Sequence, residues 1–346
     1  MDPQNNNFKV AIQCSTYNHE KYIEDALGGF VMQETNFPFV AIVVDDASTD
    51  NEPQVLWNFI NNELEASAIQ KDETEDYVRV FAPHKSNQNC TFAIYFLKYN
   101  HYSIKKTKAP YLNEWQDQAE YIAFCEGDDY WTDSAKLQKQ TAFLDSHTDY
   151  IMCSHDFYEF FQKTKSFKDK THYEDIGFKE ENGWFFFDYS LDNYFKRWYT
   201  HPLSCVYRNG SYLQEIPVKK YRFYKDRIFY YYVLKQGKGA LLKDNMGVYR
   251  IHDGGTYSGI PASERYYKDV SNGYELYKFE KDERALEFVQ DYEIRRFKAM
   301  ISEGYRKELI SEIFDYFKIV PVNVFFKFLR FVVNHLKKKI INSWRK

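Results

Sequence analysis

Short apolar runs alternate with amphipathic stretches through the first half of the chain. Phe8 to Cys14 (FKVAIQC) reads as a strand, and Glu20 to Gln33 as a helix. The run from Phe39 to Val44 is rich in β-branched residues and stops at two carboxylates, Asp45 and Asp46. Leu56, Phe59, Ile60 and Leu64 recur at helical spacing, and the acidic stretch QKDETED follows. Tyr77 to Phe81 and Tyr121 to Cys125 are the third and fourth predicted strands. Strands alternating with helices predict an α/β fold with a mainly parallel sheet and right-handed crossovers. In such sheets ligands bind beyond the carboxyl ends of the strands.

Elsewhere the pattern changes. Residues 99–120, with Pro110, read as a surface insertion. From Ile151 to about Ile251 the runs shorten and aromatics multiply, which suits antiparallel strands better than another parallel unit. From Ser263 onward the pattern is helical and charged, and no internal repeat is found.

Composition narrows the classes. With 346 residues and 44% hydrophobic content, the chain can bury a large core. Its formal charge of -4 argues against a dedicated nucleic-acid binder, which would carry a basic footprint. The aromatic share of 19% fits stacking surfaces for bases or sugars, and equally a plain composition bias. Cys14, Cys90, Cys125, Cys153 and Cys205 are odd in number, widely spaced and without a CxxC pair. They read as buried free thiols in a reducing compartment, not as a zinc site or a disulfide framework. The opening MDPQNNNFKV lacks signal-peptide character, and no apolar run approaches eighteen residues. A cytoplasmic location is expected.

Three polar clusters carry candidate chemistry, each at a predicted strand end. Cys125-Glu126-Gly127-Asp128-Asp129-Tyr130-Trp131 follows the strand YIAF. Two adjacent carboxylates there, with Gly127 permitting a tight turn, can meet a hard cation and leave its other positions to water and phosphate. Asp45-Asp46-Ala47-Ser48-Thr49-Asp50 offers a carboxylate to a base or ribose, and one of Ser48, Thr49 and Asp50 should cap the next helix. Ser15-Thr16-Tyr17-Asn18-His19-Glu20 closes the first strand. A bare Asp-Asp pair is usually a solvated turn. Three such clusters at three strand ends point to one site.

Together these segments resemble glycosyltransferase family 2, inverting enzymes with the GT-A fold. The likeness runs through STYNHEKYIEDAL, Gln33, VVDDASTD, YIAFCEGDDYW and KLQKQTAFL, and resumes at KDRIFYYYVLKQGKGALL and GVYRIHDGGTYSG. It covers roughly residues 8–260. The resemblance implies a GT-A catalytic domain over 1–262, with the nucleotide-sugar part at about 8–150 and an acceptor-facing part at about 151–262. A helical extension, 263–346, follows. It implies nucleotide contacts at Ser15 and Tyr17, a carboxylate for uracil at Asp46, and Asp128 facing ribose or donor sugar. It implies a metal, Mn²⁺ or Mg²⁺, on Asp129 and His252, and a catalytic base at Asp226. The expected activity is transfer of a sugar from a nucleotide-sugar donor, a UDP-sugar, to a sugar or lipid-linked glycan acceptor in cell-surface polysaccharide or glycolipid synthesis.

Some features depart from the family pattern. Asn87-Gln88-Asn89 stands where many relatives have Asn-x-Gly, the insertion before the metal motif is long, and Asp226 lacks a preceding Glu. The Gln-x-x-Arg-Trp motif of processive synthases is absent, which favours one sugar per encounter. Bland roles stand beside these: a helix first-turn charge for Asp226, a strand-end histidine for His252, structural roles for His155 and His201, and loop packing for Tyr130 and Trp131. A sugar nucleotidyltransferase would need a Gly-rich basic loop near the first strand, which STYNHEKY does not offer. A non-catalytic nucleotide-sugar binder would carry nearly the same sequence.

The tail from Pro321, PVNVFFKFLRFVVNHLKKKIINSWRK, has no acidic residue after Asp315. On a helical wheel Phe325, Leu329, Val332, Val333, Leu336 and Ile340 oppose Lys327, Arg330, Asn334, Lys337 and Lys338. This predicts a basic amphipathic helix lying on the inner face of the cytoplasmic membrane, or else packed on protein.

Overall fold

The computed structural model describes residues 7–305 apart from Thr256 and Ser258, so the predicted tail helix lies outside the described residues. The first half runs β1 (Phe8–Thr16), α1 (Ile23–Val31), β2 (Phe39–Asp45), α2 (Glu52–Glu63), β3 (Gln70–Glu73), β4 (Tyr77–Pro83), β5 (Cys90–Leu97), α3 (Ala109–Gln116) and β6 (Ala119–Phe124). Next come β7 (Tyr130–Trp131), α4 (Lys136–Ser146), β8 (Tyr150–Phe161), β9 (Ser166–Phe167), β10 (Lys179–Glu181), β11 (Trp184–Tyr189), α5 (Leu191–Tyr194) and β12 (Val206–Arg208). The chain then forms α6 (Asp226–Leu234), β13 (Lys238–Ile251), α7 (Ala262–Glu280) and α8 (Glu283–Glu303). Two compact units result, residues 7–217 with 229–253, and residues 218–228 with 254–305.

The first unit is built on one sheet of the order β10-β11-β13-β8-β12-β6-β1-β2-β5-β4-β3. Its centre is parallel: β2 lies between β1 and β5, and β6 flanks β1 on the other side. Every residue of β2 is buried, as a strand covered on both faces requires, and this explains its continuous apolar run. Register fixes what meets at the carboxyl edge. Thr16 sits beside Asp45, and the pairing of Gln13 with Phe124 brings Cys125–Asp129 out at the same edge. β8 is antiparallel to β12, which is antiparallel to β6, so β8 and its parallel partner β13 run the way β6 does. His252, one residue past β13, therefore emerges at that edge too.

The architecture is the expected α/β one, with differences in detail. β5, whose run CTFAIYFL was not singled out in the sequence, is a central strand and supplies Ala93, Tyr95 and Leu97 to the core. The acidic stretch QKDETED contains β3, where an edge strand can show its charges to solvent. The expected surface insertion contains α3, which buries Tyr111, Leu112 and Trp115 against β2 and β5. Each such side chain contributes roughly 1.5–3 kcal/mol, so α3 belongs to the core. In the later half β8 and β13 pair in parallel over most of their length, against the antiparallel expectation, while β10, β11 and β12 pair antiparallel. All five cysteines are free and buried.

The second unit holds α7 and α8. Lys281 takes a left-handed conformation to end α7, and the Asp282 side chain caps α8 by accepting from Arg284 N. Asn272 and Glu275 hold the backbone of Phe223, and Arg227 lies over the Phe288 ring at 4.1 Å.

Candidate active site

The loop after β6 must pass very close to β1. A Cβ on Gly127 would fall 2.2 Å from Thr16 Oγ1, so only glycine fits. Gly127 N donates to Ser15 O and Cys125 N to Gln13 O, which extends the β1–β6 pairing into the loop. Asp128 and Asp129 follow with opposite surroundings. The Asp129 carboxylate is buried, and its Oδ1 accepts from Arg250 N at 2.8 Å. Burial, then the neighbouring Asp128 charge, pushes its pKa well up. The Asp128 carboxylate faces two imidazoles: His252 Nε2 at 3.0 Å and His19 Nε2 at 3.8 Å from Oδ2. Burial opposes its ionisation, but the His252 hydrogen bond and the His19 charge outweigh that and hold its pKa below the ordinary value.

Arg250 locks this loop from the neighbouring strand. Its Nε donates to Asp128 O at 2.8 Å, and a terminal nitrogen reaches Asp25 on α1 at 2.6 Å. The guanidinium lies 4.8 Å from the Tyr22 ring and 5.0 Å from the Tyr130 ring. Behind the loop, Gln33 donates to Gly29 O and Asp133 O and accepts from Leu137 N. Trp131 is buried, donates to Leu203 O and carries Lys136 Nζ 3.9 Å above its ring. Desolvation lowers the Lys136 pKa to about 7.

Glu52, at the start of α2, ties the β1 and β2 loops together. Its carboxylate accepts from Thr16 Oγ1, from His19 N at 2.8 Å and from Ser48 Oγ at 2.8 Å. Asn18, at φ +58°, donates from its backbone to Ser48 Oγ and accepts from Thr49 N. Asn51 stands at the N-cap position of α2 without a side-chain cap bond, and Asp50, one of the expected trio, accepts from Glu52 N through its Oδ1. Asp46 is buried and already engaged: its oxygens accept from His101 N at 2.7 Å and Tyr102 N at 3.1 Å, and Lys108 Nζ lies 3.0 Å away.

Of the expected site residues, Asp128, Asp129 and His252 come together, with Ser15 giving its carbonyl to the same loop. Tyr17 is exposed at the carboxyl edge, at 41%. Asp46 lies at the end of β2 beneath residues 100–108. Asp226 begins α6 within the second unit and is exposed. His155 is buried and His201 is half-buried. Sequence reasoning missed His19, Glu52 and Arg250 as site residues. His19 sat in a cluster and Arg250 in a segment already singled out, but Arg250 acts through partners up to 225 positions away and Glu52 through Thr16 and His19.

Two sets of possible metal ligands occur among the described residues, His19–Asp128–His252 and Glu126–Asp128–Asp129. Both contain Asp128. A divalent cation fits the chemistry of this corner, where carboxylates and imidazoles converge at a strand edge.

No family model matches the chain. An uncharacterized protein of Mycobacterium tuberculosis H37Rv is 28% identical over 264 residues, covering 75% of this chain and 63% of that protein. An uncharacterized protein of Mycobacterium bovis matches with the same figures. The chain thus aligns with less than two thirds of the length of these relatives. Among solved structures, S. aureus TarS 1–349 in complex with UDP-GlcNAc aligns at TM-score 0.56 and 19% identity, covering 91% of this chain and 82% of that one. The mannosyltransferase PcManGT from Pyrobaculum calidifontis, in complex with GDP-Man and Mn²⁺, aligns at 0.51 and 13%, covering 88% and 78%. At these identities the likeness shows the fold, which is GT-A. No helix among the described residues is long and apolar enough to cross a membrane.

Proposed function

We propose that the chain is a metal-dependent, inverting glycosyltransferase of the family 2 type that moves a sugar from a nucleotide-sugar donor to an acceptor hydroxyl. One observation carries this reading: the ends of β1, β6 and β13 deliver His19, Asp128 and His252 to a single point, on a fold shared with structures holding UDP-GlcNAc and GDP-Man. The diphosphate of the donor is placed at this point, with the nucleoside towards Ser15, Tyr17 and the end of β2. A divalent cation there would neutralise charge building on the departing diphosphate.

The chain's own groups do the rest. Tyr17 offers an exposed aromatic face to a base, and Asp46, engaged by His101 N and Tyr102 N, shapes the β2 end where uracil is expected. The Arg250 clamp keeps the Asp128 loop in one shape, so little reorganisation is needed as charge develops. Asp226 is assigned the proton of the acceptor hydroxyl on the strength of the resemblance, and in-line attack then inverts the anomeric centre. A lipid-linked acceptor would give the basic tail a purpose at the membrane.

Incubation with a panel of nucleotide sugars and acceptors, with Mn²⁺ or with chelator, tests the reading. Metal-dependent release of nucleoside diphosphate together with a glycosylated product is expected. Tight donor binding without turnover on any acceptor would favour a non-catalytic nucleotide-sugar binder.

A further inference from the structure

We infer that the carboxyl edge of the sheet docks on an anionic lipid surface through two loop tips, residues 98–108 after β5 and the hairpin 161–170 at the end of β8. This goes beyond the glycosyltransferase reading and does not depend on it.

The sheet sets the direction of both tips. β5 runs parallel to β2, and β8 runs the way β6 does, so both segments leave the edge where Asp128 emerges. They stand five strand positions apart in the order β8-β12-β6-β1-β2-β5, about 24 Å at the usual strand spacing. The loop after β6 leaves the sheet between them. Each foot is tied to the same framework. Asp46 accepts from His101 N and Tyr102 N at the foot of the first tip. At the second, Gln162 N donates to Ile251 O at 2.9 Å, and its Oε1 accepts from Arg250, whose Nε also holds Asp128 O.

Both tips show large apolar side chains to solvent. Tyr102 and Ile104 are 81% and 57% exposed, and Phe161 and Phe167 are 37% and 51% exposed. Phe161 pairs with Ser166 and Phe167 with Phe160, which puts Phe161 and Phe167 on opposite faces of the hairpin. A partner lying against one side of the hairpin covers only one of them. Insertion of the tip end-on covers both.

Charge points the same way. In a chain of net charge -4, the two segments carry eight lysines and one carboxylate, Asp169. Five of these lysines meet carboxylates of the chain. Lys105, Lys163 and Lys165 are exposed and form no ion pair among the described residues. Lys105 and Lys165 have φ of +55° and +53°, a left-handed conformation that glycine or asparagine takes at lower cost. Turn stability does not favour a lysine at either tip, whereas an anionic surface beyond the tip does.

A bilayer suits this combination. Apolar side chains enter the headgroup boundary while ammonium groups stay with lipid phosphates. Two tips with a gap between them do not make the contiguous face of about 800 Å² per partner that a stable protein interface buries. A planar surface needs no contiguity. A soluble polyanion would engage the lysines and leave the apolar side chains in water. For the transferase proposed above, docking at both tips turns the site towards a lipid-linked acceptor.

The test uses the full chain and vesicles of phosphatidylcholine with phosphatidylserine. An environment-sensitive fluorophore is attached at Ser103→Cys, at Thr164→Cys, or at Gln88→Cys on the amino edge, the native cysteines all being buried. Labels at 103 and 164 should shift to the blue and be quenched by nitroxide-labelled lipid, and the label at 88 should do neither. Lys105→Gln and Lys165→Gln should each lower vesicle partitioning about fivefold. Replacing Tyr102, Ile104, Phe161 and Phe167 together by serine should lower it by at least about tenfold, with circular dichroism unchanged. Sedimentation with vesicles but no quenching at either tip, as attachment through the C-terminal tail alone would give, would overturn the docking. Quenching at one tip only, equal quenching at 88, or unchanged partitioning of the folded four-serine variant would overturn it too. So would a blue shift that appears with soluble polyphosphate, or with protein concentration, and not with vesicles. Product formation in the transfer assay decides the glycosyltransferase reading separately.

Discussion

The chain carries two Asp-Asp pairs, each just at or beyond the end of a parallel strand, and their surroundings have opposite character. After β2, Asp45 takes Ser48 N, while Asp46 is buried under two backbone N–H groups and a lysine. Its charge is satisfied from within the chain. After β6, Asp129 takes one backbone N–H, and Asp128 faces two imidazoles. Its charge is met by side chains that can also ligate a cation, the His252 hydrogen bond and the nearby His19 ring. An identical dipeptide can thus brace a loop in one place and, in the proposed function, face a ligand in another. The partners decide which.

The largest expected effect comes from breaking the second pair at its exposed member. Asp128→Asn should lower the transfer rate by at least ~1000-fold, since several kcal/mol of leaving-group stabilisation depend on that charge. A variant within tenfold of wild type in a metal-supplemented assay would show that the pair after β6 is no more functional than the pair after β2.

Next in size is Asp226→Asn, which asks whether the proton is handled away from both pairs. The expected loss is about a hundredfold in turnover, the scale of general base catalysis, with donor affinity changed by less than about threefold. Rapid-quench measurement of the bound donor separates the two quantities. A collapse of donor affinity with turnover preserved would move Asp226 into the nucleotide site.

The contrast between the pairs could not have been read from the sequence, although both pairs could. β2 was legible because a fully buried strand needs an unbroken apolar run, and β1, β4 and β6 because their runs are rich in apolar residues, and the clusters at strand ends followed from them. β5 and α3 were missed for a related reason. CTFAIYFL is as long as the runs that were read but stands between polar loops, and the few apolar residues of α3 follow a lysine-rich stretch and Pro110. The partners were out of reach on physical grounds. Arg250 touches Asp129 across 121 positions and His252 touches Asp128 across 124. Glu52 looks in sequence like a helix first-turn carboxylate, and only the fold turns it towards Thr16 and His19. The parallel β8–β13 pair was likewise unreadable, because its two strands are separated by most of the middle region.

A smaller effect is expected at Asp46. If its carboxylate braces residues 100–108, Asp46→Ala should lower the free energy of unfolding in urea by about 1.5–3 kcal/mol, as charged hydrogen bonds are lost and their donors left buried. UDP affinity should fall with it, because the same residues border the proposed base site. Loss of UDP binding at unchanged stability would instead give Asp46 a direct hydrogen bond to the base and no bracing role.

The smallest effect should come from Lys108→Met, which removes the cation of the first pair and leaves its two backbone donors. Lys108 is partly solvated, with its side chain 21% exposed, and the Asp46 carboxylate is almost fully buried. Removing one partner of a fully buried ion pair is strongly destabilising, whereas exposed pairs contribute little. Here His101 N and Tyr102 N still hold the carboxylate, so a loss of about 1 kcal/mol in the urea titration is expected. Combining Lys108→Met with Asp46→Ala should cost less than the two separate losses added, since the lysine has no charge left to meet. Full additivity would mean that Lys108 stabilises the loop without reference to Asp46, and the first pair would then be braced by its backbone donors alone.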